Sequence, residues 1–424
     1  MEKSRINLFV AITAIGLINY VSYYSILSKI TYSTKSWANF NQRLISYPDL
    51  NPSLTEIRLE DLNDPGSHHP KTNRTLLETP IVPQCKNDSK PYKILLWTDK
   101  YMNFNISLVN YQHYSNYTLE CPHCRCVLTT NKSEVETSDL LFFSQRNLHN
   151  TELPTYRKPE QIWLIYNREA PEAFWPLTPI WRKRSKIPEY RFLFNWSSTL
   201  RFDADVPHPL YHVLPNDKPP LQRQLTAGLE LRMATKKFPM LWPVSNCYSH
   251  SNRELLARRI SKYLPIHIYG KCGDYECPKG EAACWRMMEE KYYFYLAFEN
   301  SICKDYITEK LFRTLQHYVI PVVYAEYDDM WYQRLPPKSF INVKDFATIK
   351  QLTDYMTMLM YNEDRYAEYF QWKLSYKIIG HQSVWCKICA KLNEGVKPKI
   401  LDMENWFFNN TCRDRISIDA SIPT

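Results

Sequence analysis

Glu309 and Lys310 stand side by side just after a turn, behind an aromatic and apolar run, KYYFYLAF. Asn300, Asp305 and Tyr306 occupy the polar gap between that run and a helical pattern. Free N–H groups at a helix start attract anions, and a lysine ammonium adds a full positive charge. A carboxylate can accept two hydrogen bonds from a vicinal diol such as a ribose. Together these groups suit a sugar nucleotide diphosphate. The plainer alternative is an exposed Glu–Lys pair on an ordinary helix, which is common.

These side chains need a strand and a helix to place them. Residues 292–298 are apolar on both faces, as in a strand buried within a parallel sheet. Asp305 has the chemistry of an N-cap, and Ile307, Leu311 and Leu315 recur at helical spacing. Residues 319–324 read as a second strand. The whole is a βαβ unit with its chemistry at the carboxyl end of the first strand.

The rest of the 424-residue chain fits a luminal protein with an anionic substrate. It is 44% apolar and 14% aromatic, enough for two domains plus appendages. The net charge of +9 is spread without a basic block, which argues against a nucleic-acid partner. With only 8 glycines and neither glycine-rich phosphate fingerprint, side chains and a helix end must hold any phosphate. Residues 6–27 carry no charge and are long enough to span a bilayer, with Lys3 and Arg5 before them. They are expected to be a signal anchor behind a cytoplasmic tail, residues 1–5; the alternative is a long signal peptide. Residues 28–90 are polar and proline-rich, as expected of a stem. Twelve cysteines suit an oxidising compartment. So do seven glycosylation sequons, at Asn73, Asn87, Asn105, Asn116, Asn131, Asn195 and Asn409.

The stretch F-Y-L-A-F-E-N-S-x-C-x-D-Y-I-T-E-K-L resembles the donor-site signature of the α1,3/4-fucosyltransferase family, nearest in look to its invertebrate enzymes. The resemblance covers about residues 92–392 and is strongest over 245–273 and 292–325. It implies an α/β, GT-B-like architecture in which two Rossmann-like domains face a cleft. Residues 91–237 are then the acceptor-side domain and 238–424 the GDP-fucose-binding domain. It implies an inverting α1,3-fucosyltransferase that acts on a GlcNAc of glycoprotein glycans and is held in the Golgi membrane as a type II protein. Cys272, Cys277, Cys284 and Cys303 resemble the pattern of enzymes that fucosylate the core GlcNAc of N-glycans. The alternatives are Lewis-type peripheral transfer and an inactive Golgi sugar-binding protein.

The same resemblance assigns roles. Arg253 matches the phosphate-binding arginine. Asn300, Tyr306, Glu309 and Lys310 match the positions that hold the nucleotide sugar. Glu169 follows an expected strand at 161–166 and is expected as the base; Glu-Ala-Pro stands where the family usually has Glu-Ser-Pro. Asp203-Ala204-Asp205 could ligate a hard cation. It resembles instead the family's N-W-T-x-x-Y-R-x-D-S-D, with Leu200 and Ala204 departing, where the acids are not metal ligands for the diphosphate. No cofactor is required on this reading, and manganese is at most a stimulator.

Further strands are expected at 92–98, 139–143, 192–196, 240–245 and 266–269, with helices over 252–263 and 347–372. Pro243 should weaken its strand. Cys121, Cys124 and Cys126 are expected in disulfides rather than on zinc. Cys386-Lys387-Ile388-Cys389 likewise reads as structural rather than redox-active.

Overall fold

The computed structural model describes residues 91–413, apart from 99–116, 122–123, 149–151, 175–187, 279, 327–328, 381–383, 396–397 and 410. The expected anchor and stem, and Asn73, Asn87, Asn105 and Asn116, lie outside the described residues. Among the described residues no helix is long and apolar enough to cross a membrane.

The first sheet contains β1 (Tyr92–Leu96), β2 (Tyr117–Cys121), β3 (Cys124–Thr129), β4 (Leu140–Ser144), β5 (Ile162–Tyr166) and β6 (Trp196–Ser198). Their order is β2-β3-β1-β4-β5-β6, and every neighbouring pair is parallel except the hairpin β2–β3. The strand expected at 192–196 is thus shorter and later. A two-stranded antiparallel ribbon joins β7 (Tyr211–Pro215) to a later strand, Tyr376–Gly380.

The second sheet is wholly parallel. It contains β8 (Phe238–Pro243), β9 (Ile266–Tyr269), β10 (Tyr292–Phe298), β11 (Ile320–Tyr324) and β12 (Ile341–Asn342), in the order β12-β11-β10-β8-β9. Pro243 ends β8 opposite Tyr269, so its missing N–H costs the ladder only at the strand's exit. Five helices concern the site and its support: α1 (Gln222–Met233), α2 (Arg253–Ile260), α3 (Glu281–Lys291), α4 (Glu309–Leu315) and α5 (Ile349–Tyr361).

Alternation along β10 sorts its side chains into two cores. Phe294, Leu296 and Phe298 pack with Leu229 of α1, Leu256 of α2 and Met356 of α5. Tyr295 and Ala297 pack on the other face with Met288 of α3 and Leu311 and Phe312 of α4. The sheet is therefore the middle of three layers.

The first sheet is covered differently. Ile94, Phe142 and Leu164 pack against Trp385, Ile388 and Leu392 of α6 (Val384–Asn393). Leu95, Phe143 and Ile165 pack against Leu401, Met403 and Phe407. Both covers come from the end of the chain. Two disulfides, Cys121–Cys386 and Cys126–Cys389, fasten α6 to the β2–β3 hairpin. Three more join Cys247–Cys272, Cys277–Cys284 and Cys303–Cys412, and no described cysteine is free.

Asp305 is not the cap of α4. It sits in the left-handed region at φ 58°, buried, and its Oδ2 accepts a hydrogen bond from Phe202 N at 3.2 Å. Thr308 occupies the cap position and Glu309 opens the helix. Aspartate tolerates left-handed backbone better than most residues, so the same chemistry that favours a cap also suits this turn.

Candidate active site

The carboxyl end of β10 delivers Glu299 into the interior, only 1% exposed. Its Oε1 accepts from Thr308 N at 2.7 Å. Its Oε2 accepts from Thr308 Oγ1 at 2.9 Å and from Lys310 Nζ at 2.8 Å. Lys310 also donates to Thr308 Oγ1 at 2.7 Å and lies 3.7 Å from Glu309, whose carboxylate is exposed. Burial pushes the Lys310 ammonium down, but Glu299 and Glu309 outweigh it and hold it above the usual lysine value.

Arg253, the first residue of α2, turns inward to the same strand end. It donates to Phe298 O at 2.8 Å and to Asn246 O at 3.0 Å. Burial holds its guanidinium below the ordinary value, although Glu299 and Glu254 oppose the shift. Two buried polar atoms here bond nothing: Nε of Arg253 and Oδ1 of Asn300. Orphaned buried atoms of this kind call for a partner from outside the chain, a water or a ligand.

The other wall comes from β5. Past its end, Asn167 closes a turn on Glu169: Oδ1 accepts from Glu169 N at 3.0 Å and Nδ2 donates to Glu169 O at 2.8 Å. The Glu169 carboxylate is left exposed. Its Oε2 accepts a hydrogen bond from the Tyr306 hydroxyl at 3.2 Å, which joins the two walls. Burial first, then the charges of Glu299, Glu169 and Glu309, push the Tyr306 phenol well above its ordinary value, so it stays a donor. Ala170 is fully buried with Leu200, Leu210, Cys303 and Tyr306. The hydroxyl missing from Glu-Ala-Pro would have entered an apolar contact.

The structure thus gathers Glu169, Arg253, Asn300, Tyr306, Glu309 and Lys310 around the carboxyl ends of β5, β8 and β10. It turns the two acids of Asp203-Ala204-Asp205 to separate partners. Asp203 takes both arms of Arg201, at 2.8 and 2.7 Å, and Lys304 at 3.0 Å. Asp205 takes Ser197 N and Oγ, at 3.0 and 2.9 Å, and Lys399 at 2.7 Å. A carboxylate oxygen of Glu172 lies near the sulfurs of Cys303 and Cys412, but those sulfurs are bonded to each other and offer no thiolate.

Among the sequons, Asn131 and Asn409 are exposed and Asn195 is not. Oδ1 of Asn195 accepts from Arg157 and Trp163 N, and Nδ2 donates to Lys399 O at 2.9 Å. Both ends of the Asn195 amide are thus engaged inside the fold. Thr308, Asn167 and Glu299 are not among the site residues expected from the sequence. The one signal in the sequence for Glu299 is an acid closing an apolar strand.

Two family models match the chain: "Fucosyltransferase, N-terminal" over residues 89–211 and "Glycosyltransferase family 10 (fucosyltransferase) C-term" over 233–406. The chain is 31% identical to the alpha-(1,3)-fucosyltransferase C of Drosophila melanogaster over 318 residues, covering 70% of this chain and 72% of that one. It is also 31% identical to the glycoprotein 3-alpha-L-fucosyltransferase A of the same fly, covering 68% of this chain and 55% of that one. A crystal structure of an alpha1,3-fucosyltransferase with GDP-fucose superposes with a TM-score of 0.41 at 17% identity, over 79% of this chain and 91% of that chain. The chain is therefore a glycosyltransferase and belongs to glycosyltransferase family 10, the fucosyltransferases.

Proposed function

We propose that the chain transfers fucose from GDP-fucose to a GlcNAc hydroxyl of glycoprotein glycans, with inversion at the fucose carbon. The contact that carries the reading is Tyr306–Glu169, which sets a carboxylate from the β5 wall against the donor-side loop. In the proposed step the bond from fucose C1 to the GDP oxygen breaks and a bond from C1 to the acceptor oxygen forms on the opposite face. Glu169 takes the acceptor proton as that bond forms. The charge left on GDP is met by Lys310 and Arg253, the latter with a free Nε N–H, while Glu309 and Asn300 hold the nucleotide sugar. The names of the two fly relatives support fucosyl transfer and the α1,3 linkage.

On this reading the first sheet, within residues 91–237 and covered by 384–392 and 401–407, presents the acceptor, and the second sheet, within residues 238–424, binds the donor. Residues 6–27 anchor the enzyme in the Golgi membrane with its catalytic part luminal. Positive side chains already face the phosphate, so no metal is required and manganese acts only as a stimulator. The core GlcNAc of N-glycans is the favoured acceptor, on the cysteine pattern around the donor motif and on the fly relative named for glycoprotein transfer. Incubation with GDP-fucose and a panel of N-glycan and N-acetyllactosamine acceptors tests it. Product on the N-glycan core is expected; product on N-acetyllactosamine alone assigns Lewis-type transfer instead.

A further inference from the structure

We propose that Glu172 is a positioning residue: its carboxyl, set against the Cys303–Cys412 bridge, fixes the loop of Glu169 against the donor-side loop. The inference rests on Glu169 being the base.

Glu172 lies in the 3₁₀ turn Pro171–Phe174, three residues past Glu169. One of its carboxylate oxygens and the sulfurs of Cys303 and Cys412 all lie within 4.8 Å of one another. Its Oε1 is 4.0 Å from His250 Nδ1. Its Oε2 is buried and has no hydrogen-bond partner. One carboxyl therefore meets three segments: the loop leading to Arg253, the donor-side loop, and the chain's C-terminal stretch. The last two are themselves bound together. Cys303 and Cys412 pair as a backbone bridge, Lys304 N donates to Thr411 O at 2.8 Å, and Arg413 N donates to Ile302 O at 2.9 Å.

Glu169 needs such support. Its side chain is exposed and makes one hydrogen bond, to Tyr306. A base held this loosely takes its place from its backbone. Asn167 grips that backbone on one side, and Ala170 and Glu172 anchor it on the other. A shift of about 1 Å in a reacting group costs on the order of a hundredfold in rate. Burial pushes the Glu172 carboxyl up, against the opposing pulls of Ser301 and His250. Glutamine has the same shape and should hold the loop in the same place.

The experiment measures transfer from GDP-fucose by Glu172→Ala, Glu172→Gln, Glu172→Asp, Glu169→Gln and the double variant Glu169→Gln/Glu172→Ala, with GDP affinity measured by calorimetry. Glu172→Ala is expected to lower kcat by about tenfold, with KM for GDP-fucose and GDP affinity held within about twofold. Glu172→Gln should restore kcat to within about twofold of the unaltered enzyme. Glu172→Asp, one carbon short, should lose about threefold, and it decides the matter if the alanine variant does not fold. The double variant should be no slower than Glu169→Gln alone, because Glu172 acts through Glu169. Normal kcat in Glu172→Ala overturns the proposal. So does a glutamine variant as slow as alanine, a parallel loss of GDP binding, or additive losses in the double variant. Near-normal turnover in Glu169→Gln overturns the base assignment instead, whatever Glu172 does.

Discussion

The two walls of the site are held in opposite ways. On the donor side, Glu299, Thr308 and Lys310 bond one another under cover, and Arg253 is spent on two backbone carbonyls. On the base side, the Glu169 carboxylate stands in the open with one hydrogen bond, from Tyr306. One wall is a built charge network that exists before any ligand arrives. The other is a single acid whose position is borrowed from its neighbours. The difference fits the two proposed tasks. A leaving diphosphate needs charge fixed in advance, because reorganisation in the transition state raises the barrier. A base must accept a proton from a group that comes and goes, so it must face the cleft.

The same isosteric change on each wall breaks this comparison if it is wrong. Glu169→Gln should lower turnover by roughly a hundredfold or more, the usual scale for a lost general base, with a melting temperature unchanged within about 2 °C. Glu299→Gln should do the reverse first. It strands the partly buried Lys310 ammonium and should lower the melting midpoint by about 5–10 °C. Thermal unfolding of both variants beside a transfer assay separates them, and equal melting losses would erase the distinction between the walls.

Smaller changes sharpen it. Lys310→Ala and Arg253→Ala should each weaken GDP binding by about tenfold or more, since each removes a charge-assisted contact. Calorimetric titration with GDP reads this directly, and unchanged affinity would move the phosphate elsewhere. Chelator should reduce activity only in part; complete loss restored by manganese would return Asp203 and Asp205 to consideration as ligands.

The smallest effect concerns pH. The folded carboxyl of Glu172 titrates above its unfolded value, so its ionised form is penalised in the folded state. That penalty is full at pH above the raised value and disappears as pH falls below the ordinary value of 4.5. Glu172→Gln should accordingly raise the melting temperature at pH 7.5 by about 1–2 °C and leave it unchanged near pH 4.5. Melting curves at the two pH values check the sign.

Much of the donor wall was legible in the sequence because it is built locally. Parallel strands buried on both faces read as unbroken apolar runs, and β9, β10 and β11 fall where the runs fall. Their helices lie between them in the chain. Asp305 misled because one residue type serves two backbone geometries. Glu299 was undervalued because its partners, Thr308 and Lys310, are arranged by the turn and not by spacing alone. The first sheet gave up β1, β4 and β5 but neither the β2–β3 hairpin nor its covers. Nothing local to β1, β4 and β5 shows that Trp385 and Phe407 will lie on their two faces. Cysteine positions alone could not pair Cys121 with Cys386 or Cys126 with Cys389.

Those distant covers set an order of events during biosynthesis. A chain leaves the ribosome from its N-terminus, and domains usually finish folding in that order. Here β1 to β6 emerge first and find neither apolar lid, since residues 384–392 and 401–407 are still unmade. The cysteines of the β2–β3 hairpin likewise wait for Cys386 and Cys389. The parallel sheet that follows carries its helices with it and can close on schedule. The half of the molecule synthesised first is therefore completed last, and until then its two apolar faces and the thiols of Cys121 and Cys126 stay without their native partners.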